Sequence, residues 1–402
     1  MDNRKKLNIA MVCDPISDYK SGVLVSTLRF AERLRNRGHN IIFIGARSPM
    51  NPKDDTLNGF KVYRFPSLLI PKSEGRWYLS FPSKEKIKKI LQEEKIDILH
   101  TLLQMPSSIV SMKAAKALGI KIISHAHSQP ENIFMHMPKY LGRDFLSRIY
   151  LKYLLWSHKQ AHAVAYPSEF AKKIFANISG GANHVVISNG VDSNEFKKVD
   201  TGNFFDKFNL QKGNPPSPRL RRARKVFYVG RLHPEKCVDT MIKSVPHVIK
   251  KQPDAHFFIA GFGHQENELK QLATKMDLSK NLTFMGKISE EDKVKAYNAC
   301  DIFVSPSMAE LEGMTTLEAM ACGKPIIIAN AENSAATYFV DKNGFLFEPE
   351  NEKDLASKII SALSDKNLLD KMGEASFQKS KQYDINESVS KLENLYYSVL
   401  NV

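Results

Sequence analysis

The sequence is poor in cysteine, and the placement of its few cysteines argues against several classes of protein. Cys13, Cys237, Cys300 and Cys322 lie far apart and show no metal-ligand spacing. They are typical of a reducing compartment, where buried thiols serve as small apolar side chains. A disulfide-stabilised secreted scaffold and a cysteine-ligated metal centre are therefore not expected.

Long apolar runs are also missing. No apolar stretch approaches the ~20 residues that a membrane-spanning helix requires. Basic residues near the amino end precede an apolar run, but this run reaches Asp14-Pro15 too soon for a signal sequence and predicts a strand over residues 7–12. We expect a cytoplasmic protein that is at most peripheral on the inner face of a membrane.

Two further absences concern cofactors and nucleic acids. The full dinucleotide fingerprint G-x-G-x-x-G does not occur, which argues against a nicotinamide or flavin enzyme. No Asp-x-Asp metal motif stands out, and no nucleic-acid-binding module is recognisable. We therefore expect no metal, no redox cofactor and no nucleic-acid partner.

Acidic residues are scarce in the first half only. Residues 1–200 hold 31 Lys and Arg against 17 Asp and Glu, whereas residues 201–402 hold 27 against 26. This one-sided positive charge is typical of contact with an anionic surface, either a membrane leaflet or a nucleic acid, although a general excess for solubility explains it equally well.

Short apolar segments alternate with helix-like segments along both halves of the chain. This pattern predicts an α/β protein with parallel sheets covered by helices on both faces. A length of 402 residues predicts two domains. We place their boundary at the turn S-N-G-V-D, residues 188–192, and expect a surface loop over residues 211–225. The predicted strands cover residues 7–12, 41–44, 62–65, 96–100, 121–124, 163–166, 225–229, 256–260, 282–285, 302–304, 325–329 and 345–347.

Two acids eight positions apart, Glu310 and Glu318, stand at the most informative segment of the chain, residues 305–325. An apolar strand ends there, small residues turn, and a helix is predicted to begin near Met314. The start of a helix offers free N–H groups and a positive dipole to an anion, and Thr315 lies in that first turn. Carboxylates nearby can accept hydrogen bonds from sugar hydroxyls. An acidic helix start that only complements the dipole is the alternative interpretation.

The segment V-G-R-L-H-P-E-K, residues 229–236, follows the first strand of the second half. Arg231 and Lys236 are five positions apart across a turn that begins at Gly230, so both can face one diphosphate. A leaving diphosphate gains negative charge in the transition state, and fixed cations stabilise that charge without a metal.

Three other turns follow predicted strands. Gly261 belongs to G-F-G, which allows a close approach of the backbone to a ligand. Gly22 lies in residues 14–26, between the first strand and the first helix. His127 lies in H-A-H-S-Q-P-E-N, residues 125–132, with His125 as the alternative histidine.

These segments together resemble retaining glycosyltransferases of family 4, which have two Rossmann-like domains that face each other across a cleft (the GT-B fold). The resemblance implies that Glu318 binds the ribose, Glu310 faces the transferred sugar, and Arg231 and Lys236 hold the diphosphate. It also implies donor contacts at Gly22, Gly230, Met314 and Thr315, and a catalytic His127 near the donor sugar. We expect Gly261 to contact the donor as well, since a glycine lets the backbone approach a ligand. Residue 237 is usually glycine in this family, and we expect Cys237 to affect packing only.

The family plan implies an acceptor-binding domain over residues 1–190, completed by a C-terminal helix over residues 386–402. A nucleotide-sugar-binding domain then covers residues 191–385. The donor is a nucleotide sugar of the UDP-glucose or GDP-mannose type. Residues 14–38, 60–67 and 97–101 are similar to the subset that glycosylates membrane lipids, such as diacylglycerol glucosyltransferases and phosphatidylinositol mannosyltransferases.

Two basic stretches with aromatic residues, 71–95 and 140–159, suit an interface with anionic lipid, although the second is equally typical of a helix packed inside its domain. We therefore expect a retaining hexosyltransferase with a lipid or glycan acceptor, and three alternatives stay open. These are transfer to a capsule or exopolysaccharide glycan, an epimerase or phosphorylase on the same plan, and a non-catalytic protein that binds a membrane surface or nucleic acid.

Overall fold

The computed structural model describes residues 4–16, 22–48, 56–70, 78–131, 140, 142–176, 183–208 and 223–401. The chain divides into two compact units, the first formed by Met1–Gly190 with Ile385–Val402 and the second by Val191–Asp384. Each unit is built on its own, mainly parallel sheet. The predicted α/β class is therefore confirmed. The predicted loop at residues 211–222 and the predicted interfacial residues 71–77 lie outside the described part of the chain.

The first unit contains an eight-stranded sheet in the order β10-β9-β8-β7-β1-β2-β4-β3, in which only β3 runs antiparallel to its neighbour. A separate antiparallel hairpin is formed by β5 and β6. The strands are β1 (Asn8–Val12), β2 (Asn40–Ala46), β3 (Thr56–Leu57), β4 (Phe60–Phe65), β5 (Ser67–Leu69), β6 (Tyr78–Ser80), β7 (Ile98–Thr101), β8 (Lys121–His125), β9 (Ala163–Tyr166) and β10 (Asn183–Val186). The helices among the described residues are α1 (Gly22–Asn36), α2 (Lys84–Glu93), α3 (Pro106–Ala117), α4 (Arg143–His158), α5 (Glu169–Ala176) and, at the end of the chain, the helix Ile385–Leu400.

The central strands of this sheet are apolar on both faces, as parallel strands between two helical layers must be. Successive side chains of β1 enter different cores, since side chains alternate along a strand. Ile9 and Met11 pack with α1 and the final helix, whereas Ala10 and Val12 pack with α2 and α3. The two cores therefore fix the direction and register of β1 at the centre of the unit.

The second unit contains a six-stranded parallel sheet in the order β13-β12-β11-β14-β16-β18. A small parallel pair, β15 and β17, lies beside it. The strands are β11 (Arg224–Val229), β12 (Ala255–Ala260), β13 (Leu282–Gly286), β14 (Ile302–Ser305), β15 (Ala309–Glu310), β16 (Ile326–Ala329), β17 (Asn333–Ser334) and β18 (Gly344–Phe347). The helices are α6 (Val238–Ile249), α7 (Glu266–Lys275), α8 (Glu290–Ala299), α9 (Met314–Ala321), α10 (Glu352–Leu363) and α11 (Lys366–Ser380), so the final helix Ile385–Leu400 is α12.

In the described part of the chain, no helix is both long enough and apolar enough to cross a bilayer.

The final helix, α12, is held on the first unit by a cluster of charges as well as by apolar packing. The carboxylate of Glu393 accepts hydrogen bonds from Arg37 at 2.7 Å and from His39 Nε2 at 2.8 Å. Burial raises the pKa of Glu393, but these two hydrogen bonds outweigh burial and lower it overall. Glu393 is therefore an anion that links α12 to the segment after α1.

Replacement of Glu393 by Ala should destabilise the first unit by about 2 kcal/mol, because Arg37 and His39 lose a charged partner. For a unit of this size, this corresponds to a fall of roughly 4–8 °C in the melting temperature. The difference in stability between the variant and the wild type should shrink as the pH falls through the lowered pKa of Glu393. The carboxylate of the wild type is then protonated and no longer pairs with Arg37 and His39 as an anion. Thermal unfolding of Glu393→Ala at pH 7.5 and pH 4 measures both effects.

The matched control for this variant is Glu93→Gln, which removes an exposed acid of the same unit whose partner Lys89 lies 3.7 Å away. Equal melting temperatures for Glu393→Ala and the wild type at pH 7.5 would contradict the role given to Glu393.

Candidate functional site

The sheet order of the second unit brings two of the predicted motifs together. Strand β11 lies between β12 and β14, so the connections that follow β11 and β14 leave the same edge of the sheet in opposite directions. Such a switch point, at the carboxyl ends of parallel strands, is where open α/β sheets bind ligands. The turn over residues 230–236 follows β11, and the segment over residues 306–313 follows β14.

Lys236 and Glu310 meet at this edge although they are 74 positions apart. Lys236 Nζ lies 2.6 Å from Glu310 Oε1 and 3.4 Å from Ser307 Oγ. The two charged side chains are 12% and 20% exposed, so the ion pair is reachable from solvent. An ammonium group has three N–H donors, and one of them is left for a ligand after these two contacts.

Arg231 is held by a second carboxylate, that of Glu235. The guanidinium donates to Glu235 Oε1 at 3.0 Å, and His233 Nδ1 is in contact with the other oxygen, Oε2. Burial raises the pKa of Glu235, but the hydrogen bond with His233 and the charges of Lys236 and Arg231 outweigh it and bring the pKa to about 2. Glu235 is therefore ionised at neutral pH although it is fully buried.

Cys237 ends this turn in a left-handed conformation, with φ at 46°. Glycine adopts this conformation without cost, whereas a residue with a Cβ is strained there by about 1–2 kcal/mol. We expected the cysteine to affect packing only, and this expectation is wrong, because the position constrains the backbone. Burial raises the pKa of the Cys237 thiol to about 12, so the thiol is neutral and not a reactive thiolate.

Gly261 has a structural reason to be glycine that the sequence did not reveal. A Cβ added at Gly261 would lie 1.9 Å from the carbonyl oxygen of Gly230, and one at Gly263 would lie 2.2 Å from that of Leu232. Leu232 N also donates to Phe262 O at 2.9 Å. The turns after β11 and β12 are therefore packed backbone to backbone. Donor contact at Gly230 and Gly261 stays a prediction.

The helix predicted near Met314 begins at that residue, and Gly313 caps it with φ at 105° and no side-chain hydrogen bond. The first N–H groups of a helix have no partners within the helix, so Met314 and Thr315 present such groups at the same edge as Lys236. Glu318 lies one turn further along α9 and is 3% exposed.

The partners of Glu318 were missed by sequence reasoning. The hydroxyl of Tyr297, which is fully buried, donates to Glu318 Oε2 at 3.1 Å and contacts Thr315 O at 3.0 Å. Lys293 Nζ lies 3.1 Å from the same carboxylate. Lys293 and Tyr297 are four positions apart on α8, which places them on one face of the helix. That spacing was visible in the sequence, but nothing in it connected α8 with Glu318.

The first unit carries the other two predicted site residues. Gly22 is exposed and begins α1, whereas its neighbour Ser21 lies outside the described residues. His127 follows β8 by two residues and is half-buried, with its ring stacked at 4.1 Å on that of His125. His125 is 1% exposed and stacks in turn on His100 at 5.6 Å, so His127 is the more accessible of the two candidate histidines.

Burial lowers the pKa of His127 to about 4, so its imidazole is neutral at physiological pH. A neutral imidazole can donate one hydrogen bond and accept another, but it carries no positive charge.

Among the residues that the structure describes, no three His, Cys, Asp or Glu side chains are grouped as metal ligands.

Two family models match the chain, one on each half. The model described as "Glycosyltransferase Family 4" matches residues 20–195, and that described as "Glycosyl transferases group 1" matches residues 215–379. Together they include all of the predicted site residues, with Gly22 and His127 in the first and the others, among them Arg231 and Glu318, in the second.

Several curated proteins are similar to most of the chain. Sulfoquinovosyl transferase SQD2 of Arabidopsis thaliana is 28% identical, over 98% of this chain and 74% of its own length. Alpha-monoglucosyldiacylglycerol synthase of Streptococcus pneumoniae is 25% identical, over 89% and 78%. Phosphatidyl-myo-inositol mannosyltransferase of Mycolicibacterium smegmatis is 26% identical, over 90% and 86%.

Solved structures share the fold. A sucrose-phosphate synthase from Thermosynechococcus elongatus superposes with a TM-score of 0.80 at 18% identity, and covers 98% of this chain and 100% of its own. HepE of Anabaena, in complex with UDP-glucose, gives a TM-score of 0.77 at 20% identity with the same coverage. The fold is therefore that of the GT-B glycosyltransferases. With both family models matched, the chain belongs to glycosyltransferase family 4 and is a transferase enzyme.

Replacement of Tyr297 by Phe should weaken use of the sugar donor, because Glu318 and Thr315 lose the hydroxyl that ties them together. Loss of one hydrogen bond to a charged group costs about 1.5 kcal/mol, so kcat/KM for the donor should fall roughly tenfold. Steady-state kinetics with varied donor concentration give this value.

Tyr166→Phe is the matched control, since Tyr166 is also fully buried and its hydroxyl pairs with His184 at 2.9 Å in the first unit. Its kcat/KM for the donor should equal that of the wild type. A Tyr297→Phe enzyme with unchanged donor kinetics would show that Glu318 does not depend on this hydroxyl.

Proposed function

We propose that the chain is a retaining hexosyltransferase. It moves a sugar from a nucleotide-diphosphate sugar to the hydroxyl of a membrane lipid of the diacylglycerol or phosphatidylinositol type. The second unit binds the donor, and the first unit binds the acceptor. The observation that carries the proposal is the contact of Lys236 with Glu310, which joins the two donor motifs at the edge where such sheets bind ligands.

In this proposal Arg231 and Lys236 bind the diphosphate. Arg231 presents a half-exposed guanidinium that is already fixed by Glu235, and Lys236 has one N–H donor beyond Glu310 and Ser307. Negative charge grows on the diphosphate as the bond to the sugar breaks, and fixed cations stabilise that charge. The proposal therefore assigns this task to the two cations and to no metal ion or cofactor.

The acids have separate tasks. Glu318, held by Tyr297 and Lys293, accepts hydrogen bonds from the ribose, while Glu310 orients the transferred sugar. The N–H groups of Met314 and Thr315 donate hydrogen bonds to the phosphate and sugar oxygens. Gly22, Gly230 and Gly261 allow the backbone to lie close to the donor.

Retention of configuration requires that the acceptor attack the face from which the diphosphate leaves. We propose that the leaving phosphate oxygen takes the proton of the acceptor hydroxyl on that face, so that no protein nucleophile is used. His127 donates or accepts a hydrogen bond to a sugar hydroxyl in its neutral form, which its lowered pKa of about 4 maintains.

Two curated relatives, by their names, and one solved structure, by its contents, support the choice of substrates. Two of them are named as a diacylglycerol glycolipid synthase and a phosphatidyl-inositol mannosyltransferase, and the HepE structure contains UDP-glucose. Either a uridine or a guanosine diphosphate sugar is compatible with the diphosphate and ribose contacts proposed here. A donor panel of UDP-glucose, UDP-galactose and GDP-mannose, tested with a lipid extract, identifies the pair.

Replacement of Lys236 by Ala should abolish transfer, since the diphosphate loses a cation and Glu310 loses its partner. Removal of one such charge from a transition state lowers kcat by about 10²–10³-fold. Glu318→Ala should act mainly on donor binding and raise the donor KM. Release of nucleoside diphosphate in the presence of acceptor measures both.

Lys243→Ala is the control for Lys236→Ala, because Lys243 is a half-exposed lysine of the same unit, paired with Asp239 on α6. Near-normal turnover by Lys236→Ala would remove the site assignment. Transfer to an added glycan but to no component of the lipid extract would replace the lipid acceptor by a polysaccharide.

Helix α4 supports a membrane acceptor. Phe145, Ile149 and Trp156 are 66%, 47% and 45% exposed, with the basic residues Arg148 and Lys152 between them. The opposite side of α4 packs inward through Leu154 and Leu155, so only the exposed side is available to a membrane surface. An exposed apolar stripe flanked by cations is typical of a helix that lies on anionic lipid.

The chain should bind vesicles that contain anionic phospholipid, and binding should weaken between 0.05 M and 0.5 M salt because cations contribute. Joint replacement of Phe145, Ile149 and Trp156 by Ser should reduce binding at least tenfold in a sedimentation assay. Tyr338→Ser, at a 53% exposed aromatic residue of the second unit, is the control. Equal binding to neutral and anionic vesicles, or none, would contradict the proposed surface.

A further inference from the structure

Glu235 is the acidic residue of the segment 229–236. Its carboxylate is more deeply buried than the side chains that it binds. The carboxylate is 0% exposed, whereas the side chains of Arg231 and His233 are 46% and 36% exposed. A buried charge is stable only when it is paired and hydrogen-bonded. Both oxygens of Glu235 meet this requirement, since Oε1 accepts from Arg231 at 3.0 Å and Oε2 contacts His233.

The backbone of Glu235 also fixes the segment that follows β14, residues 306–313. The carbonyl oxygen of Glu235 accepts from Met308 N at 2.8 Å and from Ser307 Oγ at 3.3 Å. Ser307 also lies 3.4 Å from Lys236 Nζ, which is itself paired with Glu310. Glu235 therefore contacts both segments that the proposed function assigns to the donor, although its carboxylate has no exposed surface of its own.

We propose that Glu235 is a positioning residue for the donor diphosphate. Its buried carboxylate holds the guanidinium of Arg231 in the direction in which it receives the phosphate oxygens. This inference rests on the proposed function, because it takes Arg231 as a diphosphate ligand. It adds a residue whose task is to act through Arg231 and not to touch the donor.

The alternative effect of Glu235 has the opposite sign. A carboxylate within 3.0 Å of Arg231 partly cancels the charge that attracts a diphosphate, so Coulomb's law alone predicts tighter binding when it is neutralised. Positioning predicts weaker binding, because Arg231 has a long side chain and loses rotational freedom on binding when nothing holds it beforehand. We expect positioning to dominate, because the guanidinium of Arg231 is 46% exposed and water screens its charge, whereas the long side chain loses its rotational freedom in full on binding.

Glu235→Gln tests the sign directly. Isothermal titration calorimetry with UDP and GDP should show an affinity about tenfold weaker than that of the wild type for whichever nucleotide the wild type binds. The affinity for the matching nucleoside, which carries no phosphate, should stay within twofold by NMR titration. The donor KM should rise by the same factor as the dissociation constant of the diphosphate.

A shorter acid separates position from charge. Glu235→Asp keeps the negative charge but withdraws the carboxylate by one methylene, so positioning again predicts weaker binding of the diphosphate, whereas charge alone predicts wild-type affinity. Glu291→Gln, which neutralises a 78%-exposed acid of the same unit, is the matched control and should bind as the wild type does. Melting temperatures establish that each variant is folded, and Glu235→Asp carries the test should Glu235→Gln not fold.

The double variant Arg231→Ala/Glu235→Gln tests whether the effect passes through Arg231. Positioning predicts that Glu235→Gln adds less than twofold once Arg231 is absent, which a general loss of stability would not produce. Wild-type or tighter binding of the diphosphate by Glu235→Gln and Glu235→Asp, or a full additional loss in the double variant, would overturn the inference. Absence of nucleotide binding by the wild type would instead contradict the proposed function.

Discussion

The arrangement of the second unit depends on pairing each charge of the candidate site with an opposite charge. Lys236 is held by Glu310, Arg231 by Glu235, and Glu318 by Lys293. Groups that are fixed by such pairs do not have to be ordered when a ligand arrives, so their orientation is set during folding. The pairs also bring the local charge near to neutrality, which lowers general attraction for anions. Under the proposed function, such a site would recognise the geometry of a diphosphate more than its charge alone.

This pairing is possible only because the backbone brings distant segments to one edge. The strand order places the connections after β11 and β14 together, and the carbonyl of Glu235 fixes the second connection through Met308 and Ser307. Close packing of the turns after β11 and β12 requires the absence of a side chain at Gly261. Gly261, at which the sequence predicted approach of the backbone to a ligand, therefore also supports the turn that carries Arg231. Contact with a ligand and contact between turns are compatible, since the two can use different sides of the same backbone.

The sequence predicted some of this arrangement and could not predict the rest. Strands that are buried on both faces have continuous apolar runs, so residues 163–166 were predicted with the bounds of β9. Strands β3 and β5 were missed because they are short, and because β5 exposes Leu68 and Leu69 and so lacks a buried face. The contact of Arg231 with Glu235 is local, within one turn, whereas that of Lys236 with Glu310 spans 74 positions and depends on the whole sheet. The strain at Cys237 is a property of φ, which residue type alone does not reveal.

The first unit differs from the second because its candidate group is uncharged. His127, His125 and His100 form a stack in which burial lowers each pKa well below its ordinary value. A protonated imidazole in this stack would lie against other rings with little water to solvate it, so the stack itself maintains the neutral form. Glycosyl transfer builds positive charge on the sugar ring as the leaving group departs. A cation beside that ring would oppose the reaction, whereas a neutral imidazole can orient a hydroxyl without this cost. If His127 contacts the sugar as proposed, the burial that keeps it neutral is part of what makes it useful there.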